Sequence, residues 1–120
     1  MERWQFGIDN DELVNLVLSG KKTATTSLYN GYKNNIPKIG DKSIITYSNG
    51  KDACLIENVD VIITEFKNIT KELAYLEGEG DRSLEYYQKV HKKIFKIRDN
   101  NFNDNTQVVF EIFKVIDILK

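Results

Sequence analysis

One junction constrains the fold most, because a helix ends there and a β-strand begins. Asp9 is a candidate N-cap of that helix, with Glu12 three residues later as in a capping box. Three apolar residues share one face of the helix: Leu13, Leu16 and Val17. Gly20 can take the left-handed conformation that closes a helix. The run 22–29 then has β-branched residues in alternation, as a strand requires, so a helix terminus, lysines and hydroxyls meet at one point.

Turn signals predict the remaining strands. Pro37 and the pair Gly40-Asp41 indicate a turn before a strand over 42–47. Asn49-Gly50 then predicts a hairpin with a type I′ turn. The return run 53–66 is long for one strand, so we expect a bend near residues 57–58. A last strand over 106–116 places Val108, Phe110, Ile112 and Lys114 on one face and Val109, Glu111, Phe113 and Val115 on the other.

Two more helices are predicted between these strands. Thr70 can cap the first, which carries Leu73 and Leu76, and Ser83 can cap the second. One stripe of the second helix contains Leu84, Tyr87, His91, Ile94 and Phe95. The order of elements predicts one α+β domain over residues 1–120, a strongly bent sheet or small barrel with helices covering its openings.

Composition narrows the function classes. With 17 basic and 18 acidic side chains the net charge is −1, which argues against tight non-specific binding of duplex nucleic acid. Any nucleic-acid ligand should be small, single-stranded or held in a local pocket. No apolar run approaches the ~20 residues of a membrane span and the N-terminus lacks a signal-peptide core, so we expect a cytoplasmic protein with no membrane partner. The single cysteine, Cys54, fits a reducing compartment and is expected to be a small buried residue.

Lys22 is the first candidate for chemistry. A lysine at the start of a strand is usually a solvated charge. In a partly closed barrel mouth, however, desolvation or the neighbouring ammonium of Lys21 could lower its pKa and allow it to act as nucleophile or base. Thr25 lies three residues later and cannot share the face of Lys22 by strict alternation, so a bulge or bend would have to bring them together.

The run Glu77-Gly78-Glu79-Gly80-Asp81 is the second candidate. A hydrated surface loop is the ordinary explanation, but paired carboxylates between glycines could also hold a metal, orient an ammonium or exchange protons. Glu77 follows the apolar helix face most closely and is the first choice for the pocket, with Glu79 second. Arg82 could cover the acidic loop or bind a phosphate.

Two expectations concern metals and the histidine. We expect no essential metal or other cofactor, because Cys54 and His91 are far apart in sequence and the acidic run has three carboxylates. His91 lies on an apolar stripe, where a satisfied, half-buried histidine is more common than a catalytic one.

Together these residues resemble the ASCH domain family, a small β-barrel family similar in fold to the PUA RNA-binding domains. The resemblance rests on four segments and His91: Trp4-Gln5-Phe6-Gly7, the signature Gly20-x-Lys22-x-x-Thr25, Pro37 to Asp41, and Glu77-Gly78-Glu79-Gly80-Asp81-Arg82-Ser83-Leu84. It therefore implies a PUA-like barrel. The chain departs from the pattern at Ser27, where the broad signature ends in arginine, and at Tyr87 and Gln88, where tryptophan and arginine are common.

The resemblance also implies chemistry. One small ASCH type is an amidohydrolase of N4-acetylcytidine with lysine, threonine and glutamate in its catalytic set, and another type has been described as a ribonuclease. Carried over, Lys22 is a nucleophile or base, Thr25 a hydroxyl relay or oxyanion donor, and Glu77 or Glu79 a proton shuttle. The predicted binding residues are Gly20, Lys21, Thr23, Trp4, Tyr29 and Arg82, and Phe6 is a further aromatic able to stack on a base.

Two classes of function stay open at this stage. One is a hydrolase acting on a modified nucleoside, with a ribonuclease as a variant; the other is a non-catalytic PUA-like module that binds RNA or a nucleotide. A lysine of lowered pKa facing a carboxylate would favour the first, and an open basic groove the second. The expected partner is RNA or a nucleoside or nucleotide, and the expected assembly is a monomer or homodimer.

Overall fold

The computed structural model describes residues 1–32 and 34–119, and within them a mixed sheet of five strands is flanked by three helices. The elements in chain order are β1 (Glu2–Trp4), α1 (Asn10–Leu18), β2 (Ala24–Leu28), β3 (Lys42–Thr46), β4 (Asp52–Glu65), α2 (Lys71–Glu77), α3 (Leu84–Arg98) and β5 (Gln107–Ile118), with single 3-10 turns at Tyr29–Gly31 and Phe66–Asn68. The order in the sheet is β1-β3-β4-β5-β2, with β1 parallel to β3 and the other pairs antiparallel. The predicted α+β, PUA-like fold is therefore confirmed, and the sheet is a half-barrel of five strands.

The long strand β4 bends the sheet. Its register against β5 shifts between Leu55 and Ile56 and again between Asn58 and Asp60. Each shift inserts an extra residue and increases the local twist. The bend predicted near residues 57–58 is confirmed, and in the curved sheet β1 and β2 are the two edge strands.

The two faces of the sheet pack against different helices. Phe110 of β5 is buried in a core shared with α2 and α3, around Phe66 and Phe95. Phe113, on the opposite face, is buried with residues of α1 such as Val14. The alternation predicted for β5 is confirmed, and it gives the domain a core on each side of the sheet.

Two of the predicted helix caps are confirmed. The hydroxyl of Thr70 accepts from the amide of Leu73 at 3.3 Å, and the hydroxyl of Ser83 accepts from the amide of Tyr86 at 3.1 Å. Each bond satisfies an amide that has no partner within its own helix.

The predicted capping box at α1 is wrong. Asp9 stands at the N-cap position but has φ +57° and makes no capping bond through its side chain. The next residue, Asn10, ties the start of the helix to the sheet instead: its Oδ1 accepts from Phe6 N at 2.7 Å and its Nδ2 donates to Thr46 O at 3.0 Å. At the other end Gly20 has φ +83°, as predicted for a residue that closes a helix.

The hairpin between β3 and β4 is confirmed, but its turn type differs from the prediction. Gly50 has φ +88°, whereas Asn49 does not have the positive φ that a type I′ turn requires. The side chain of Asn49 instead accepts from the amide of Lys51 at 2.9 Å, and Gly50 N donates to Tyr47 O at 2.9 Å. Only the glycine therefore takes the left-handed conformation within the tip 48–51.

No helix within the described residues is both long enough and apolar enough to span a bilayer.

Candidate active site

The junction between α1 and β2 is fixed by backbone bonds on two sides. Thr23 N donates to Leu76 O of α2 at 2.8 Å, and Phe113 N of β5 donates to Thr23 O at 2.9 Å. The hydroxyl of Thr23 also donates to Leu76 O, at 3.3 Å. These bonds hold the start of the strand between α2 and β5, so the neighbouring side chain of Lys22 points into the protein, where it is 1% exposed.

Lys22 uses all three of its ammonium hydrogens. Its Nζ donates to Glu77 Oε1 at 2.5 Å, to Glu79 Oε2 at 2.9 Å and to the backbone oxygen of Glu77 at 3.2 Å. The Nζ also lies 5.2 Å from the ring centroid of Phe6. Three acceptors around one ammonium favour its charged form.

Glycine is required in the acidic run because Gly78 touches the junction. Gly78 has φ +75°, and a Cβ built there would clash with the backbone of Lys21 and Lys22. The absence of a side chain lets Glu77 and Glu79 reach Lys22 from either side of the glycine. A close approach of two backbones therefore explains why residue 78 of the run is glycine.

Glu77 is the centre of the buried cluster. Its Oε1 binds Lys22, and its Oε2 accepts from the hydroxyl of Thr26 at 2.6 Å. That hydroxyl in turn accepts from the Tyr87 hydroxyl at 2.9 Å. The His91 Nε2 lies 3.4 Å from Glu77 Oε2. Glu77 is 2% exposed, so this carboxylate depends on protein partners in place of water.

His91 is held in its protonated form by its two neighbours. Its Nδ1 lies 2.9 Å from the backbone oxygen of Tyr87, which can only accept, so Nδ1 donates. Its Nε2 faces the Glu77 carboxylate, which also accepts. Burial lowers the pKa of His91, but the hydrogen bond and charge of Glu77 outweigh burial and raise it. The expectation that His91 is a satisfied, buried side chain agrees with these contacts.

The pKa of Lys22 is raised, opposite to the lowered value on which the nucleophile hypothesis relied. Burial alone would lower it, but the charges of Glu77 and Glu79 outweigh that effect. Burial also opposes ionisation of Glu77, yet Lys22 and His91 hold its pKa well below its usual range. Glu79 differs: burial and the charge of Glu77 raise its pKa in spite of Lys22. Glu79 is therefore the proton acceptor of higher pKa in the cluster.

A cavity of about 460 Å³ opens beside this cluster, between the edge strands β1 and β2. Its aromatic and hydroxyl-bearing lining residues are Trp4, Phe6, Tyr32, Thr25, Thr26, Ser27 and Ser43. Its charged lining comprises Glu2, Asp41, Lys42, Arg98 and Glu111. Thr26 lines the cavity, and its hydroxyl is bonded to Glu77, so this residue lies at the boundary between the cavity and the cluster.

Thr25 lies on the other face of β2 from the cluster. It pairs with Glu111 of β5, and within the described residues its hydroxyl makes no hydrogen bond to Lys22, Glu77 or Glu79. No bulge interrupts the pairing of β2 with β5, so strict alternation holds. The structure thus brings Lys22, Glu77 and Glu79 together and places Thr25 in the adjoining cavity.

The predicted binding residues divide into two groups. Trp4 and Phe6 line the cavity, with ring centroids 4.9 Å apart in an edge-to-face arrangement. Tyr29 lies in the 3-10 turn after β2, and the aromatic residue of this region that lines the cavity is Tyr32.

The other group supports the backbone. Gly20 closes α1, and the exposed Lys21 contributes its backbone oxygen as an acceptor for the Arg82 guanidinium at 3.1 Å. Arg82 also donates to Tyr75 O at 3.1 Å and stacks 3.6 Å above the centre of the Tyr75 ring. Arg82 therefore ties the end of the acidic run to α2 and to the junction before β2, and both roles considered for it stay predictions.

Thr26, Glu111 and Asn58 are among the site residues that the sequence reasoning missed. Thr26 follows Lys22 by four residues, an even spacing that places both side chains on one face of a strand, so the alternation contained that signal. Glu111 is a single carboxyl in an otherwise apolar stretch of β5, which was also readable. Asn58 carries no such pattern, and its place in the site depends on the bend in β4.

Glu77, Glu79 and His91 could also serve as metal ligands, since one donor atom from each lies within 4.8 Å of the others. In the structure the ammonium of Lys22 takes the position of the positive charge between the two carboxylates. A metal there would compete with Lys22 for the same oxygens. That no metal is essential stays a prediction.

The ASCH domain family model matches residues 2–117. This chain belongs to the ASCH domain family. No curated protein matches it significantly.

Solved structures are similar to this ASCH domain over nearly its whole length. An ASCH domain from Lactobacillus crispatus JV V101 has 28% identity and a TM-score of 0.90, covering 97% of this chain and 79% of that one. A protein from Enterococcus faecalis V583 has 29% identity and a TM-score of 0.86, covering 98% and 77%. The ASCH protein of Zymomonas mobilis has 11% identity and a TM-score of 0.57, covering 98% and 70%, and at that identity it shows the fold alone.

The departures from the family pattern lie at the site. Ser27, in the place of the signature arginine, lines the cavity, and Arg98 of α3 brings a guanidinium to the same cavity. Tyr87, in the place of tryptophan, supplies the hydroxyl that supports Thr26.

Proposed function

We propose that this ASCH domain binds a nucleoside, nucleotide or short single-stranded RNA in the cavity and hydrolyses an acylated nucleoside of the N4-acetylcytidine type. The observation that carries the proposal is the position of Thr26, a residue that lines the cavity and whose hydroxyl donates to Glu77 of the buried cluster. A cavity of about 460 Å³ is within the range of small-ligand sites. A pocket beside convergent charged groups of altered pKa is a typical arrangement in enzymes.

In this proposal Lys22 is charged at rest and exchanges a proton with a neighbouring carboxylate during turnover. Amide hydrolysis places negative charge on the carbonyl oxygen, and an ammonium held in a buried site stabilises such charge. For Lys22 to act as a base or nucleophile, it must first give a proton to a neighbour. Glu79 suits that exchange better than Glu77, because its pKa is raised and its side chain is 16% exposed. Glu77 then acts as the fixed anchor of the ammonium.

The cavity supplies the binding groups. Trp4 and Phe6 offer apolar surfaces for a base, and Trp4 Nε1 is already bonded to Ser43 Oγ at 2.9 Å, which fixes the ring. Thr25 offers a hydroxyl in the same cavity for a proton relay or for the developing oxyanion. The small net charge of the chain is consistent with a small ligand in place of a long duplex.

The test is incubation of the protein with N4-acetylcytidine, in which hydrolysis is measured as the release of cytidine and acetate. Lys22→Arg keeps the positive charge but cannot lose it near neutral pH, so turnover should fall by ~100-fold or more if proton exchange through Lys22 is required. Lys93→Arg, on an exposed position of α3, is the matched control and should keep full activity. Full turnover by the Lys22→Arg protein would refute a proton-exchange role for Lys22.

Glu79→Gln provides a second variant whose effect does not depend on replacing a fully buried side chain. It should reduce turnover while thermal melting confirms that the fold is kept. Absence of hydrolysis in the wild-type protein at high enzyme concentration would reject the amidohydrolase.

A non-catalytic binding module is the second candidate, and the saturated hydrogen bonding of Lys22 favours it. An ammonium that is 1% exposed with three protein acceptors is also what a purely structural ion pair needs. In that case the wild-type protein should bind cytidine or a short single-stranded RNA without turnover. A cytoplasmic location and a monomeric or homodimeric state stay predictions.

A further inference from the structure

Glu111 is a carboxyl group inside the cavity but outside the Lys22 cluster. It lies in β5 directly opposite Thr25 of β2, and both line the cavity. Residues opposite each other in an antiparallel pair have Cβ atoms about 4.5–5.5 Å apart, so a ligand can touch both side chains. The flanking residues Phe110 and Ile112 belong to the core on the other face of the sheet. Glu111 therefore places a carboxyl group in an otherwise apolar part of β5, on the face of the strand that lines the cavity.

Two side chains hold Glu111 in place. The Tyr32 hydroxyl donates to Glu111 Oε2 at 3.1 Å, and Asn58 Nδ2 donates to Glu111 Oε1 at 2.9 Å. Asn58 is 5% exposed, so one of the donors is itself buried. A carboxylate has about four acceptor positions, and these two bonds leave acceptor capacity on each oxygen. The Glu111 carboxylate is therefore held in one orientation and can still accept a further hydrogen bond on each oxygen.

The other charges in the cavity define what Glu111 can meet. Glu2 and Asp41 also line it, and the pKa of Glu111 is raised by burial and, to a smaller extent, by these two carboxylates. Lys42 and Arg98 supply the positive charges of the lining. A ligand atom beside Glu111 therefore faces acceptors, which repel a phosphate oxygen and attract an N–H donor.

We infer that Glu111 contacts the ligand and accepts a hydrogen bond from an exocyclic N–H of a nucleobase, with the Thr25 hydroxyl beside it. This inference rests on the proposed function for the class of ligand and adds the base edge that is recognised. Cytosine carries an amino group at position 4, and its N4-acyl derivative still carries an N–H there. Uracil carries a carbonyl oxygen at that position. This oxygen and the carboxylate are both acceptors, so they would repel each other.

The experiment is calorimetric titration of the wild-type protein and Glu111→Gln with cytidine and with uridine. The wild-type protein should bind cytidine about 10-fold more tightly than uridine, the ratio expected for one hydrogen bond and its acceptor clash. Glutamine keeps the size of the side chain but presents both a donor and an acceptor, so the ratio should fall close to one. Glu57→Gln is the matched control, since Glu57 is half-buried in the same sheet and does not line the cavity. It should leave the ratio unchanged.

Tyr32→Phe is the second variant, for use if Glu111→Gln melts at a much lower temperature. It removes one of the donors that orient Glu111 and should lower the ratio without removing the carboxyl group. Equal affinities for the two nucleosides in the wild-type protein, no binding of either, or a ratio unaffected by Glu111→Gln would each overturn the inference.

The outcomes also separate this inference from the proposed hydrolase. A preference for cytidine that depends on Glu111, in a protein that does not hydrolyse N4-acetylcytidine, supports the inference and rejects the hydrolase. Hydrolysis that depends on Lys22, together with a ratio of cytidine to uridine affinity that Glu111→Gln leaves unchanged, rejects the inference and supports the hydrolase.

Discussion

Thr26 Oγ1 donates to Glu77 Oε2 at 2.6 Å, and Thr26 also lines the cavity. This bond links a residue of the cavity lining directly to the buried charges. It joins a β-strand hydroxyl to the last residue of α2, two positions separated by 51 residues in sequence.

Removal of that hydroxyl should disconnect the cavity from the cluster. Thr26→Val keeps the shape of the side chain but removes the hydroxyl donor of Glu77 Oε2, which then keeps only His91, and leaves the Tyr87 hydroxyl without its acceptor. If the proposed hydrolysis occurs, we expect kcat to fall by about 10-fold or more and stability to fall by about 1–3 kcal/mol. Steady-state kinetics and urea unfolding measure the two effects. Thr64→Val, in β4 and outside the cavity, is the control, and an equal loss in both variants would contradict the connection.

Glu77 should be a large contributor to stability. Glu77→Gln leaves the buried ammonium of Lys22 and the buried His91 without their main counter-charge, and loss of one partner of a buried ion pair commonly costs about 3–5 kcal/mol. Glu72→Gln, on an exposed position of the same helix, should change the free energy of unfolding by no more than about 0.5 kcal/mol. Similar denaturation midpoints for the two variants would show that the cluster contributes little.

Two glycines with positive φ should respond differently to alanine. Gly50→Ala meets no atom within 4 Å and should cost only the backbone strain, about 1–2 kcal/mol. Gly78→Ala carries the same strain and also forces apart the backbones of Gly78 and Lys21, so it should cost clearly more and lower the activity. Thermal melting of the two proteins provides the comparison, and equal losses would mean that the contact at Lys21 relaxes freely.

The charge of His91 should make stability depend on pH. Its pKa is raised in the folded protein, mainly because the hydrogen bond and charge of Glu77 outweigh burial. The unfolded value is about 6.5, so this contribution is fully present below about pH 6.5 and is lost as the pH rises through the folded pKa. The chain has one histidine, so a proton NMR titration assigns the folded pKa without ambiguity. A folded pKa below that of an unfolded histidine would contradict the protonated form.

Cys54 should be inert in the folded protein. It is 0% exposed, and burial raises the pKa of its thiol to about 11. Because the thiolate is the reactive form, labelling by a thiol reagent near pH 8 should be slow until denaturant is added. Fast stoichiometric labelling of the native protein would show that the strand around Cys54 opens readily.

Local patterns in the sequence determined most of the elements. The caps at Thr70 and Ser83, the closure of α1 at Gly20 and the alternation in β5 depend on residues within a few positions of one another, so the sequence carries them directly. Lys22 and the acidic run are far apart in sequence, so no local spacing predicts that they meet. Only the family resemblance connected the two segments.

The tertiary structure decided which groups of the site meet and in what ionic state. The direction of the pKa shift of Lys22 depends on the balance between burial and two carboxylates more than 50 residues away in sequence. No local pattern fixes that balance. Strict alternation in β2 placed Thr26, and not Thr25, against Glu77, because the strand pairs with β5 without a bulge. Glu111 became part of a cavity because the strand order leaves β1 and β2 as the two edges beside the opening, and Asn58, at the bend in β4, donates to its carboxylate.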